Sequence, residues 1–326
     1  MKLWDSFIDQ SQNGTIFHKY SWLKSIEQES NTKLYPLVCE KPGEGIIGVF
    51  PVFLQKKMSL RIILSPPNGC AVPELGPVFF FKNQKPQKTE ADMNAAITTF
   101  LHKIESDLKP DFYYFTTNLY DIRPFTWNGF TANPLYTYVL DLKKNKELFD
   151  ENLDKRIRNR VKKIENDKSF TIKEGGSLEI SEIITSLKEK YRLQNRTFKP
   201  SIEYFNNLLS LEEGKNLKCK IIYQNEKPLT GFILLNYKNS VRSWLGGVHS
   251  SDIPSGVIEY LQWKNITDSI ESGYDTYERI GANTHHLSVT KAKYGLTPKI
   301  YFSLQKSNFK GRLFFSLYNF LFRKNN

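Results

Sequence analysis

Apolar residues along this chain recur in two blocks of matching order, with a strongly basic stretch between them. In the first block, Trp22, Leu23 and Ile26 share one face of a helix expected over Ser21–Ser30. Strands are expected over Leu34–Glu40 and Ile46–Leu54, joined by the turn Lys41-Pro-Gly-Glu-Gly45, a hairpin signature. A third strand, Leu60–Leu64, runs into the stiff turn Ser65-Pro-Pro-Asn-Gly69. Met93, Ile97, Phe100, Leu101 and Ile104 mark a helix within Thr89–Leu108, and Phe112–Phe115 closes the block as a strand.

The second block repeats this order. Strands are expected over Leu217–Tyr223, Leu229–Tyr237 and Val241–Gly247, the first two joined by the turn at Asn225–Pro228. A helix over Ser255–Ser272 turns Val257, Leu261, Ile266 and Ile270 inward, and Tyr274–Ile280 closes the block as a strand. Gly48 precedes Ser65 by 17 residues and Gly231 precedes Gly247 by 16, a spacing that suggests a duplication. Two unrelated α/β domains sharing a motif order would look alike at this level.

Between the blocks a helix is expected over Lys146–Asp167. Lys155, Arg156, Arg158, Arg160, Lys162 and Lys163 supply six basic residues in nine positions, beside an apolar stripe that includes Ile157, Val161 and Ile164. This pattern fits either a solvated helix face or a phosphate-contacting surface. The expected division is therefore a first domain over 1–145 and a second over 146–326, the second carrying the basic linking helix.

Composition narrows the class. The 326 residues can bury a full core, and 40% hydrophobic with 14% aromatic content describes a globular chain. Cys39, Cys70 and Cys219 are isolated, which excludes a disulfide framework, argues against a zinc site and points to a reducing compartment. No signal-like apolar run opens the chain, and no stretch reaches the roughly 18–20 apolar residues of a membrane helix. A cytoplasmic location is expected. The net charge of +12 favours anionic partners: nucleotide, tRNA, CoA or an acidic lipid surface.

Near the end, an aromatic–acidic strand (Tyr274, Asp275, Tyr277, Glu278) leads into Gly281-Ala-Asn283, the pair His285–His286 and Lys291-Ala-Lys293-Tyr294-Gly295. A polar cluster directly after a strand is where α/β folds usually place chemistry. The residues Arg156-Ile-Arg158-Asn159-Arg160, then Arg196-Thr-Phe198 with Ser201–Tyr204, then Pro228-Leu-Thr-Gly231 with Trp244–Gly247, and finally Gly281-Ala-Asn283 with Lys291-x-x-Tyr294-Gly295 stand in a telling order. In that order the chain resembles the FemAB group, the peptidoglycan-bridge aminoacyl transferases and their acetyltransferase-like relatives. It departs from the group's pattern at Thr290, where Phe is common, and at Tyr294, which replaces Phe or Trp. The long helical arm of the tRNA-using branch has no counterpart.

The resemblance implies an α/β (α+β) chain of two tandem GNAT-like domains, each a mixed, mostly antiparallel sheet flanked by helices, with the substrate cleft in or between them. It also implies transfer of an acyl or aminoacyl group to an amine of a cell-envelope or surface-polysaccharide precursor. Such transfer needs positioning and charge stabilisation more than a nucleophile, and the chain has no GxSxG elbow and no Cys–His pair. Acyl-CoA is the expected donor, contacted at Ser255 and Gly256 in a glycine-poor loop over 250–256; aminoacyl-tRNA is the rival donor.

Lys291 is the first catalytic candidate, a cation for a phosphate or a developing oxyanion, with a surface lysine as the bland alternative. Asp275 and Glu278 are the general-base candidates; alternation puts them on opposite faces, and Glu278 is favoured. Arg196 is read as a clamp for carboxylate or phosphate, or else as one half of a structural ion pair. Tyr204, Trp244 and Asn283 complete the expected substrate-binding set, although aromatics at such spacing are often core. His285 and His286 read as loop or cap residues, and no metal site is expected. Leu313–Phe322 is apolar nearly all round between basic flanks, as in a helix that docks either on the protein or on the inner membrane surface. A non-catalytic module binding nucleic acid or anionic lipid is the alternative from another class.

Overall fold

Antiparallel hairpins and a parallel crossover set the architecture in each half of the chain. The computed structural model describes residues 1–82, 85–145, 149–247 and 252–313. In chain order the elements are α1 (Lys2–Gln10), α2 (Tyr20–Ser30), β1 (Lys33–Lys41), β2 (Gly45–Lys57), β3 (Leu60–Ser65), β4 (Val78–Phe79), α3 (Pro86–Leu108), β5 (Phe112–Thr117), α4 (Arg123–Trp127) and β6 (Thr131–Asp141). Then come α5 (Leu142–Asn145), α6 (Phe149–Asn152), α7 (Lys155–Glu165), β7 (Phe170–Gly175), α8 (Ser177–Leu193), α9 (Ile202–Ser210), β8 (Leu217–Gln224) and β9 (Lys227–Tyr237). The chain closes with β10 (Ser240–Gly246), α10 (Val257–Glu271), β11 (Thr276–Arg279), α11 (His285–Ala292) and β12 (Thr297–Ser307).

The chain divides into one unit of Met1–Leu135 with the residues from Tyr301 onward, and another of Tyr136–Ile300. A single cut between 145 and 146 misses the return of the chain. Residues Phe302–Ser307 of β12 pair with β5, and this ladder carries the segment into the first unit.

In the first unit β1 and β2 are antiparallel, as are β2 and β3, whereas β3 and β5 are parallel. Parallel neighbours need a long crossover, which α3 supplies. Its Ile97, Phe100 and Ile104 pack on the sheet beside Phe50 and Phe115, with the Phe50 ring meeting Phe100 at 5.8 Å and Phe115 at 5.4 Å. The β1–β2 turn needs left-handed backbone at Gly43 (φ 77°) and Gly45 (φ 78°).

The second unit repeats that plan. β8 and β9 are antiparallel, β9 and β10 antiparallel, and β10 and β11 parallel through the crossover α10. The closing strand pairs antiparallel with one more strand in each unit, β5 with β12 and β11 with β6. The matching order expected from the sequence is thus a matching topology. On one face of the second sheet α7 and α10 bury Ile157, Val161, Ile164, Val257 and Leu261 against Leu140, Phe232 and Tyr277. On the other, Ile183 of α8 lies beside Ile221 and Gly231, and the Phe205 ring of α9 meets Trp244 at a tilt of 55°.

The linking helix is shorter than expected. Asp154 accepts the N–H groups of Arg156 (2.9 Å) and Ile157 (3.3 Å), so its carboxylate caps a helix that starts at Lys155. The beginning of the expected helix, over 146–148, lies outside the described residues, as does the apolar tail beyond Leu313. No helix among the described residues is long and apolar enough to cross a membrane.

Gly246 shows how tightly the second sheet is built. Its φ is +119°, and an added Cβ would fall inside the contact distance of the Gly231 carbonyl oxygen. Gly273 also has positive φ (+77°), but a Cβ there meets nothing within 4 Å. We expect Gly273→Ala to cost about 1 kcal/mol in urea denaturation, the backbone penalty alone. Gly246→Ala should cost at least about 2 kcal/mol more, because overpacking adds to that penalty.

Candidate active site

The cleft arises where two strands part. β10 and β11 run parallel from Ser240 and Thr276 to Ser243 and Arg279, and there their ladder ends. β10 continues along β9 after a bulge between Ser243 and Leu245, with Leu245 opposite Ile233 and Gly246 opposite Phe232. The other strand turns away at Gly281, whose φ is +77°. Beyond Ser243 the chain of β10 stays tied to β9, Gly247 donating to the Gly231 carbonyl at 2.9 Å. The gap between the diverging strands is a cleft of about 370 Å³. That is the small end of the roughly 300–1,000 Å³ typical of ligand sites. A larger groove of about 780 Å³ runs between α8 and β9, and Lys190 borders both.

Lys291 lines the cleft, but its ammonium is turned into the protein. It donates to the carbonyls of Arg279 (3.0 Å), Ile280 (2.6 Å) and Gly281. Three donors meet three acceptors, so its first task is to pin the end of β11 and the turn after it. Burial, and then the Arg279 charge, pull its pKa down to about 7, with Glu278 opposing. The expectation of an ammonium presented to a phosphate is corrected accordingly: Lys291 is a positioning residue in this arrangement.

Neither general-base candidate faces the cleft. The face of β11 toward α10 carries Tyr277, whose hydroxyl accepts from Gln262 at 2.7 Å, and two residues on Arg279. Glu278 lies on the opposite face, 6% exposed, and its carboxylate meets Arg242 at 2.9 Å. Asp275 sits before the strand, where Lys143 at 2.9 Å holds its carboxyl below the usual range.

The remaining expected residues scatter. Trp244 lines the cleft, its ring 5.4 Å from Phe205. Tyr204 is 2% exposed, packed edge-on to Phe205, a core residue. Arg196 is exposed and lies over the Tyr191 ring at 5.3 Å, away from the cleft. Asn283 accepts the Tyr136 N–H at 2.7 Å, so it ties the turn to β6 and does not line the cleft. Ser255 is exposed outside the cleft lining. Gly256 caps α10 with φ +100°, and the space a Cβ would need is closed by Arg160 and Ile164 at 3.2 Å. The first turn of α10 already holds an anion of its own, Glu259, paired with Arg160 at 2.6 Å. The α10 side of the expected CoA-phosphate cradle is therefore filled by protein groups, and residues 248–251 of that loop lie outside the described residues.

Other residues take the cleft instead. Arg279 lines it, with its guanidinium 5.0 Å over the Tyr294 ring. Tyr294 is 2% exposed, and burial raises its phenol far above the usual range, so it stays protonated. Lys293 also lines the cleft, and its carbonyl accepts the Asp154 N–H at 3.0 Å. Alternation from the buried Tyr277 was the available signal for Arg279; nothing local marked Lys190. Among the described residues no group of three or more His, Cys, Asp and Glu side chains is placed to hold a metal ion.

Lys291 makes stability depend on pH. Between about 7 and the ordinary lysine value of 10.5 the unfolded chain keeps a proton that the folded chain releases. Folding stability relative to Lys291→Met should therefore rise with pH across that window and stay flat below it. Urea denaturation of both proteins at pH 6, 7, 8 and 9 checks this.

Comparisons with known proteins bear on the fold. Residues 152–286 match the family model described as acetyltransferase (GNAT) domain, a span from before α7 into α11 that stops short of Lys291. Comparison with curated protein sequences returns no match. Among solved structures the chain is similar to FemX, with TM-score 0.70 and 11% identity over 97% of each chain. It is similar to the C-terminal domain (DUF2156) of a putative lysylphosphatidylglycerol synthetase from Agrobacterium fabrum, with TM-score 0.58 and 11% identity over 96% of this chain and 93% of that one. A tandem GNAT protein from the clavulanic acid biosynthesis pathway matches with TM-score 0.52 and 10% identity over 88% of this chain and 94% of its own.

Proposed function

With residues 152–286 forming a GNAT acyltransferase domain in a chain of FemAB-like fold, an N-acyltransferase, we propose that the cleft between β10 and β11 transfers an acetyl or aminoacyl group directly onto an amine. The acceptor is an amine-bearing precursor of the cell envelope or of a surface polysaccharide. The observation that carries this reading is the cleft itself: a gap between diverging strands, lined by a protonated phenol and an excess of cations.

The chemistry follows from the lining. The neutral amine attacks the donor carbonyl, the C–N bond forms, and negative charge gathers on the carbonyl oxygen. Lys293, on the rim of the cleft, favours that charge. Tyr294 gives its proton to the departing heteroatom of the donor, and the surplus proton of the amine restores the phenol. A covalent thiolate route has no support among the described residues. Burial raises Cys70 and Cys219 to about 12, and no cysteine lines the cleft.

One observation favours a polyanionic donor, aminoacyl-tRNA, as the second reading. Lys155, Arg156, Lys162 and Lys163 stand exposed on α7, which reaches the cleft through Ile157 and Arg160. A row of cations beside a cleft suits a phosphate backbone. Acyl-CoA remains the donor suited to the GNAT domain, and calorimetry separates the two: absence of heat with acetyl-CoA removes the CoA version.

Labelled acetyl-CoA and aminoacyl-tRNA supplied with a panel of amine precursors test the reaction. Intersecting initial-rate lines and unlabelled enzyme after rapid quenching are expected for direct transfer; parallel lines with label on the protein would overturn it. Tyr294→Phe should lower kcat by about 10²- to 10⁴-fold with little change in KM, as for a lost general acid.

A further inference from the structure

Arg279 is the cleft residue whose chemistry the transfer reaction leaves unused. Its guanidinium offers five N–H donors, and among the described residues it makes no hydrogen bond or ion pair with a protein acceptor. Nη1 is buried without a partner. Groups of that kind are rare in folded proteins and call for an explanation, an unseen anion being one.

The side chain also rests on an aromatic support. The Tyr294 ring lies under its guanidinium at 5.0 Å. Its carbonyl accepts from Lys291 at 3.0 Å and from Thr137 Oγ1 at 3.1 Å, so the backbone beneath it is anchored twice. A planar donor fork resting on an aromatic face suits bidentate recognition of carboxylate or phosphate.

Charge in the cleft points the same way. Lys190 and Lys293 line it without an ion-pair partner among the described residues, and burial lowers the pKa of Lys190. The acid in the lining, Glu259, is taken by Arg160 at 2.6 Å. The field at Arg279 is therefore positive and uncompensated.

We propose that Arg279 is the specificity-determining residue of this cleft, holding a carboxylate or phosphate of the acceptor close to the amine that is acylated. The proposal rests on the transfer reading and names the acceptor class: an amine carrying an anionic group a short distance from its nitrogen.

Two independent measurements test it. The first is calorimetric titration of the wild type and of Arg279→Gln with inorganic phosphate and with acetate at constant ionic strength, after circular dichroism has shown that the variant is folded. Weakening by about 10- to 100-fold on substitution supports the anion site, whereas equal binding by both proteins overturns it. Arg279→Lys should recover phosphate binding better than acetate binding, because a lysine is a point charge without the fork.

The second measurement is kcat/KM for acceptor pairs differing only in the anion, such as an amino acid and its amide, or an amino-sugar phosphate and the free amino sugar. The wild type should prefer the anionic member, mainly through KM, and Arg279→Gln should bring the ratio toward one. A preference that survives the substitution overturns the proposal. So does a shift that instead appears between acetyl-CoA and acetyl-pantetheine, which would place the anion on the donor. Transfer to no acceptor, with anion binding still dependent on Arg279, would sink the transfer reading and the acceptor assignment together while the anion site stands.

Discussion

The ammonium of Lys291, buried and donated into three successive carbonyls, is the interaction on which the site depends. Those carbonyls belong to the last residue of β11 and the two that follow, where the chain leaves the sheet. A strand end has carbonyls that no neighbouring strand can satisfy, and burying them without donors is costly. One lysine answers all three and so fixes the angle at which the chain departs. The first of the three is the carbonyl of Arg279, the residue that lines the cleft. The physical cost is a cation taken out of water beside another, which is why its pKa falls to about 7.

Parallel pairing explains why the gap lies where it does. β10 and β11 cannot be joined by a tight turn, so α10 must cross over the sheet between them. The bulge at Trp244 bends β10 toward β9 just as the parallel ladder stops, and Gly246 and Gly247 allow the backbone to pass against Gly231 and Phe232. The same antiparallel, antiparallel, parallel order recurs at β1, β2, β3 and β5 of the first unit. The cleft at the end of the parallel ladder, with Arg279 and Tyr294 in its lining, lies in the second unit, the part that contains the GNAT match.

Much of the fold was legible because hydrophobic periodicity is local. The inward residues of α3 and α10 follow a 3.6-residue period, and the β1–β2 hairpin is announced by Gly43 and Gly45. Long-range consequences were harder to read. Phe302–Ser307 joins the first unit through its ladder with β5, a pairing between segments nearly two hundred residues apart that no local pattern encodes. The linking helix was overextended because its apolar stripe continues upstream of Asp154, whereas a capping carboxylate ends a helix whatever the stripe does.

By itself, then, the amino-acid sequence determined the order of strands and helices, the repeat of that order and the basic character of α7, because each is a property of neighbouring residues. It also brought Lys291 and Trp244 to notice, each in its own motif. Tertiary structure alone decided what they do. Alternation separates Glu278 from Arg279, but only the packing of α7 and α10 on one face tells which of the two meets the cleft and which is spent on Arg242. Lys291 bonds to backbone carbonyls, and carbonyls are the same at every residue, so no sequence pattern could name its partners.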